Sequence, residues 1–209
     1  MRIGVIDYDM GNLHSVVKAL RYLGVGGEVT AEITDAYDGL ILPGVGAFDP
    51  AMRQLRQRQL VAPLQAWIAA DRPFLGICLG LQLLFSGSEE GQEPGLGIIP
   101  GRVQAIPAKP GHPIPHMGWN QLHFTQPDCP LWQSLPPHPW VYFVHSYHGV
   151  PADPHTVAAT VTYGAQTLTA AIAQGNCLAT QFHPEKSGAV GLTILNNWLT
   201  GCVSRPASV

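Results

Sequence analysis

The segment Gly76-Ile77-Cys78-Leu79-Gly80 sets a cysteine between two glycines, where an apolar run meets a helix-forming one. It has the form of a nucleophile elbow, in which the glycines let a strand turn sharply into a helix and hold the nucleophile at the tip. A helix N-terminus at that point favours the thiolate over the thiol, and the backbone N–H of Leu79 points to where an oxyanion would form. A lone cysteine at a tight turn otherwise reads as a buried structural residue, and the paired glycines with their flanking elements reverse that reading.

A thiolate nucleophile needs a partner to manage its proton and to protonate the leaving group, and nine histidines compete for the role. His183-Pro184-Glu185 is the best placed. In extended backbone, residues two apart point the same way, and Pro184 holds φ fixed, so Glu185 can hydrogen-bond the imidazole and set its tautomer. Cys78, His183 and Glu185 thus form a candidate catalytic relay, built by the logic of other triads. A turn histidine beside an exposed glutamate is the plainer reading of the same three residues. Pro43-Gly44-Val45-Gly46 closes another strand, and the N–H groups of Gly44 and Val45 could complete the oxyanion hole; the segment equally suits a plain left-handed turn. Metal is not expected. His112 and His116 lie in a proline-rich loop where residues four apart share no helical face, and neither they nor His145 and His148 gather the four ligands of a closed site.

The elements around these residues follow from periodicity. Residues 3–7 read as a strand, with Asn12 capping a helix that runs to Leu23 and ends at Gly24. Strands are expected over 28–33 and 39–42, then a single helix of five turns over 50–70 and a strand over 73–77 that runs into a helix ending at Phe85. This alternation predicts an α/β fold around a central, mostly parallel sheet, with ligands beyond the carboxyl ends of the strands. Residues 95–180 differ. Short strands over 102–106, 119–124, 140–147, 156–162, 167–174 and 177–182, separated by Pro and Gly, suggest antiparallel hairpins laid against the first sheet. A helix over 190–199 closes the chain, and 201–209 reads as a frayed tail.

Composition narrows the function. A chain of 209 residues suits one compact domain, taken as residues 1–200 plus the tail. Gly plus Pro make 42 of 209, below the range of low-complexity chains, so a packed core is expected. Only 12% of residues are charged, the net charge is −3, and no basic block occurs, which argues against nucleic acid and anionic membrane as partners. Asp7 cuts the first apolar run short of a signal peptide's core, and no run approaches the roughly 18 apolar residues of a membrane span, so a cytoplasmic protein is expected. Cys78, Cys129, Cys177 and Cys202 lie far apart, which fits neither a disulfide framework nor a zinc ribbon.

Gly76-Ile-Cys78-Leu-Gly80-Leu-Gln82, with Gln181-Phe-His183-Pro-Glu185 later in the chain, resembles the class I (triad) glutamine amidotransferases. Asp7-Tyr-Asp-Met-Gly11-Asn12, Pro43-Gly-Val-Gly-Ala-Phe48, Gly95-Leu-Gly-Ile-Ile-Pro-Gly101, Pro115-His-Met-Gly-Trp-Asn120, Tyr142-Phe-Val-His-Ser-Tyr147 and His183-Pro-Glu-Lys-Ser187 are similar to the branch of that family that serves imidazole glycerol phosphate synthesis. The resemblance implies that Cys78 attacks the amide of L-glutamine, that Gln82 and the backbone around Gly46, His145 and Ser146 hold it, and that no cofactor takes part. It also implies a heterodimer with a separate (β/α)8 cyclase that receives the ammonia, contacted at or near Asn12, Trp119, Tyr142 and Lys186. Asp9 stands where the family often has glycine, and His148 follows Ser-Tyr where tyrosine is expected, so these two positions bear on partner contacts. Other readings are a glutaminase subunit of another class I amidotransferase and a non-catalytic regulatory module on the same fold; a module of that kind would lack a member of the triad, and all three are present.

Overall fold

The computed structural model describes residues 1–203; 204–209, most of the expected tail, lie outside the described residues. Two βα units open the chain: β1 (Ile3–Ile6), α1 (Leu13–Tyr22) and β2 (Gly27–Thr30), then β3 (Gly39–Gly44), α2 (Phe48–Gln57), α3 (Val61–Ala69) and β4 (Phe74–Cys78). A single turn, α4 (Leu79–Gln82), follows the elbow. Seven strands and a helix complete the chain: β5 (Gly101–Ala105), β6 (His116–Phe124), β7 (Trp140–His145), β8 (Tyr147–Pro151), β9 (Val157–Tyr163), β10 (Gln166–Gln174), β11 (Cys177–Thr180) and α5 (Gly188–Trp198). Past α5 the chain continues as a wider helical turn over Leu199–Val203, with Cys202 buried.

Nine strands form one sheet in the order β2-β1-β3-β4-β11-β10-β9-β6-β7. The pairs from β2 through β11 are parallel, and those from β11 to β7 are antiparallel. The hairpins therefore extend the first sheet edgewise instead of lying against it, and only β5 and β8 pair separately. β1, β3 and β4 are buried along their whole length, as strands of a parallel sheet covered on both faces should be. Two apolar clusters fill the two faces, one holding Val16, Leu20 and Trp198, the other Phe48, Leu64 and Phe85. Among the described residues, no helix is long and apolar enough to cross a membrane.

Several elements differ from expectation: β2 ends at Thr30 instead of 33, β11 at Thr180 instead of 182, and three further differences have an identifiable cause. The helix expected over 50–70 is broken: Gln59 takes a left-handed φ of 55°, and the Leu60 N–H reaches back to the Leu55 carbonyl at 2.9 Å, as at a helix C-terminus. Pro63 explains the break, because its ring cannot follow a helical residue 59 and it offers no N–H, while in the first turn of α3 neither matters. The helix after the elbow stops at Gln82 because the carbonyls of Leu83, Leu84 and Phe85 accept from Leu96, Ile98, Ile99 and Gly97 of the following loop. The strand expected over 140–147 divides at Ser146, whose carbonyl accepts from Ile106, and the chain passes from the large sheet to the small one.

The elbow is tight because α4, as it leaves β4, passes against the backbone of β3. A Cβ on Gly80 would stand 1.9 Å from the Leu42 carbonyl oxygen, and backbone cannot move aside as a side chain can. Gly80→Ala is therefore expected to destabilise the chain by about 1 to 3 kcal/mol, whereas Gly26→Ala, with open space around it, should change stability by less than about 0.5 kcal/mol. Denaturant midpoints of the two variants check this.

Candidate active site

The parallel pairing of β4 with β11 places Ile77 opposite Thr180, so the two chains leave the sheet side by side, one into Cys78 and the other toward His183. Cys78 has φ 55° and ψ −108°, a backbone conformation that L-residues avoid and that costs on the order of 1–3 kcal/mol when imposed. The elbow holds it there. His183 Nδ1 lies 2.8 Å from Glu185 Oε1, and both side chains are buried. Since a carboxylate only accepts, Nδ1 carries the proton and Nε2 is the nitrogen left for chemistry. That Nε2 is buried without a hydrogen-bond partner.

Burial alone would hold the His183 imidazole neutral, but the neighbouring Cys78 sulfur and the Glu185 carboxylate outweigh it and raise its pKa to about 9. The influence of Cys78 is one of proximity rather than a formed hydrogen bond, because Nε2 has no partner in bonding geometry. Other buried imidazoles behave oppositely. His116 falls to about 4 and His145 to about 3, both chiefly through burial, so both are neutral at pH 7. They pair with each other at 2.9 Å, and His145 Nδ1 donates to the Tyr147 carbonyl at 2.8 Å. Cys129 and Cys177 are pushed up to about 11 and about 12 by burial, which leaves them as unreactive thiols at neutral pH. Among the described residues, no group of three or more His, Cys, Asp or Glu is placed to hold a metal ion.

Cys78 and His183 open into a cleft of about 390 Å³, whose walls include Val45, Gly46, Leu79, Gln82, His145 and Ser146. Every residue expected around the glutamine thus faces one cavity. Gly44 stands behind that wall, at the end of β3 and paired with Cys78. The Val45 N–H donates to the Met10 carbonyl at 2.8 Å, so in this conformation it is committed away from an oxyanion. Gly46, next in that turn, has φ +99°, a conformation that glycine adopts without strain. The cleft also contains Glu90, which sequence reasoning missed: one carboxylate oxygen accepts from the Phe48 N–H at 2.8 Å, and the residue lies in a loop without a motif to mark it.

The residues expected toward a partner lie outside the cleft. Asn12 caps α1 by accepting from the Ser15 N–H at 3.4 Å, and Lys186 is exposed in the turn after His183. Trp119 and Tyr142 are opposite each other on β6 and β7, with ring centroids 6.1 Å apart. Trp119 is 52% exposed and Met117 61%, which leaves an apolar face at the open edge of the sheet. Backbone ties that face to the site: the His183 N–H donates to the Tyr142 carbonyl at 3.0 Å, the Tyr142 N–H to Ser187 Oγ at 2.9 Å, and Ser187 Oγ to the His183 carbonyl at 2.6 Å. Asp9 has φ 65°, the reason glycine is at home there, and it pairs with Arg58. His148 accepts from the Thr169 N–H at 3.4 Å.

A strained cysteine and a histidine held by a glutamate thus meet in one cleft at the end of the parallel part of a mixed α/β sheet. The family profile described as Glutamine amidotransferase class-I matches residues 4–202. The chain is 60% identical over 201 residues to the imidazole glycerol phosphate synthase subunit HisH of Synechococcus sp. (strain JA-3-3Ab), covering 95% of this chain and 93% of that one. It is 61% identical to the HisH subunit of Microcystis aeruginosa (strain NIES-843 / IAM M-2473), covering 94% of each. The fold is shared with PurLQS from Thermotoga maritima, at a TM-score of 0.75 and 19% identity over 96% of this chain and 98% of that one. The glutaminase domain of CTPS from Trypanosoma brucei gives a TM-score of 0.65 at 17% identity, covering 96% and 94%. The chain belongs to the class I glutamine amidotransferase family, in the branch of the imidazole glycerol phosphate synthase HisH subunits.

If the Cys78 sulfur helps hold the proton on His183, removing the sulfur lowers the imidazole's pKa. In Cys78→Ala, the His183 titration followed by NMR of its ring carbons is expected to have its midpoint below that of the native chain, where the Cys78 sulfur contributes to the upward shift. An unchanged midpoint would assign the whole upward shift to Glu185.

Proposed function

We propose that the chain is the glutaminase subunit of imidazole glycerol phosphate synthase, and that it hydrolyses L-glutamine to glutamate and ammonia in the cleft at Cys78. The observation that carries this reading is the His183–Glu185 pair at 2.8 Å, set beside Cys78 by the pairing of β4 with β11. Cys78 attacks the side-chain amide carbon, forming the C–S bond and placing charge on the amide oxygen. The first N–H of α4, that of Leu79, has no partner within its helix and faces that charge. His183, protonated near neutral pH, gives its Nε2 proton to the departing nitrogen, the C–N bond breaks and ammonia leaves. The imidazole, now neutral, takes a proton from water as the water attacks the thioester, and the thiolate departs from glutamate. Glu185 keeps Nδ1 protonated and the ring oriented throughout.

Binding follows from which polar groups remain unused. Gln82 spends both amide N–H groups on the carbonyl oxygens of Tyr147 and Gln181, which leaves its own carbonyl oxygen to accept from the substrate. Glu90 suits the α-ammonium of glutamine, since one of its oxygens is free of the Phe48 N–H. Gly46, His145 and Ser146 supply backbone to the lining of the same cleft.

Ammonia is mostly ammonium in water and then cannot act as a nucleophile, so it has to pass directly to the protein that uses it. A (β/α)8 cyclase docked over Asn12, Trp119, Tyr142 and Lys186 meets that need. There the ammonia would yield imidazole glycerol phosphate and an aminoimidazole carboxamide ribotide, within histidine biosynthesis. The committed Val45 N–H supports a resting state with half an oxyanion hole, completed when the cyclase binds its ligand.

Cys78→Ala is expected to abolish glutamate release while leaving the complex able to synthesise product from added ammonium salt; loss of both activities in a folded complex contradicts the division of labour. For the gate, glutamate release is compared among the free chain, the complex, and the complex with the cyclase's ligand. A rise of about a thousandfold across that series requires only about 4 kcal/mol of differential stabilisation of the competent turn, and equal turnover in all three would mean a constitutive site.

A further inference from the structure

Gln181 is fully buried, two residues before His183, and the mechanism above gives it no task. Its amide orientation is nonetheless determined by its neighbours. The Tyr147 carbonyl can only accept, so the group 3.1 Å from it on Gln82 must be the Nε2 amide. The same Nε2 lies 3.0 Å from the Gln181 side chain, which must therefore turn its carbonyl oxygen toward Gln82. The Gln181 Nε2 is then directed at the Cys78 sulfur, 3.7 Å away, within range of an N–H···S hydrogen bond. Its own backbone N–H is held by the Ala170 carbonyl at 2.8 Å, which anchors the residue to β10. A chain of hydrogen bonds thus runs from the β8 backbone through Gln82 and Gln181 to the nucleophile.

We infer that Gln181 is a further catalytic residue of the glutaminase reaction: it donates a hydrogen bond from its amide to the Cys78 sulfur and accepts one from Gln82, joining the nucleophile to the substrate-holding side chain. This rests on the roles proposed above for Cys78 and Gln82. The elbow gives the donor its importance. α4 is a single turn of four residues, so the dipole of a long helix is not available at Cys78. A fixed N–H directed at sulfur favours the charged nucleophile over the neutral thiol, and its buried position keeps water from competing. The acceptor half matters as much. By holding the Gln82 amide nitrogen, Gln181 turns the Gln82 carbonyl oxygen toward the cleft, so the group that reads the substrate and the group that attacks it share one support.

The test is alkylation of Cys78 by iodoacetamide in the full chain as a function of pH, read by mass spectrometry at that residue, for the native protein and for Gln181→Met. Methionine fills nearly the same volume but can donate nothing to the sulfur. The inference expects the variant's alkylation profile to move toward alkaline pH by about one unit, with the rate near neutrality about tenfold lower, as loss of one hydrogen bond to a charged group implies. It also expects KM for glutamine to rise, since Gln82 loses its support. A folded variant whose alkylation profile matches the native one overturns the inference and leaves Gln181 as a packing residue. Should Gln181→Met fail to fold, the native chain labelled with nitrogen-15 at its glutamine side chains gives the answer. The Gln181 amide should shift with the same pH midpoint as alkylation, and should not do so in Cys78→Ala; an amide indifferent to pH in the native chain overturns the inference as well. Alkylation requires no turnover. A Cys78→Ala chain that still released glutamate would instead defeat the proposed function, so the two failures are distinct.

Discussion

The register between β4 and β11 is the constraint on which the site depends. Neither strand carries the chemistry, yet their parallel alignment, Cys177 opposite Phe74 through Thr180 opposite Ile77, brings together residues separated by a hundred positions in the chain. A one-residue slip would turn the whole of β11 over and point His183 away from the cleft. All four residues of β11 and all five of β4 are buried, so the pair that sets this alignment lies inside the sheet rather than at its edge. The antiparallel half of the sheet has a second role. β10 carries the carbonyl that anchors Gln181, and β7 carries the one that anchors His183, so the segment that continues β11 is held by two strands of the antiparallel half.

Charge in the cleft is decided by small differences in surroundings. His116, His145 and His183 are all buried, and burial acts on each in the same direction. Only His183 has a carboxylate on one nitrogen and a sulfur near the other, and only it rises. His145, although it lines the same cleft, is tied to a neutral imidazole and a carbonyl and stays uncharged. The cleft therefore contains one protonated imidazole at neutral pH, and the identity of the acid follows from its partners rather than from its exposure. The cysteines divide in the same way: burial without a charged partner makes Cys129 and Cys177 poor nucleophiles.

Two parts of the site face outward and are less firmly held. The Pro43-Gly44-Val45-Gly46 turn is fixed at its centre by one hydrogen bond, from Val45 to Met10, and Val45 itself is 41% exposed. The 7–11 loop that supplies the Met10 carbonyl is in turn fastened by the Asp9–Arg58 pair, an exposed contact of the kind that contributes little in water. On the other side, Tyr142 lies between the apolar face of β6 and β7 and the backbone of His183. That face therefore has a short hydrogen-bonded path to His183, through the Tyr142 carbonyl.

What could be read from the residues alone was local. The elbow, the His-Pro-Glu pair, the Asn12 cap and the alternation of strands and helices through Cys78 are short-range patterns, since each depends on backbone preferences within a few positions. The break before Pro63 also has a local cause, but the apolar periodicity running across it predicts one helix over 50–70. The rest belongs to the tertiary structure. The end of α4 at Gln82 depends on loop 96–99 taking the carbonyls of Leu83, Leu84 and Phe85, and the division of β7 from β8 depends on which sheet each strand finds. The direction of the Val45 N–H, the place of Glu90 in the cleft and the contact of Gln181 with the nucleophile all join residues distant in the chain. A hydrogen bond between distant residues leaves no periodic trace in a sequence, because its geometry exists only once the strands that carry its two ends have been brought into register.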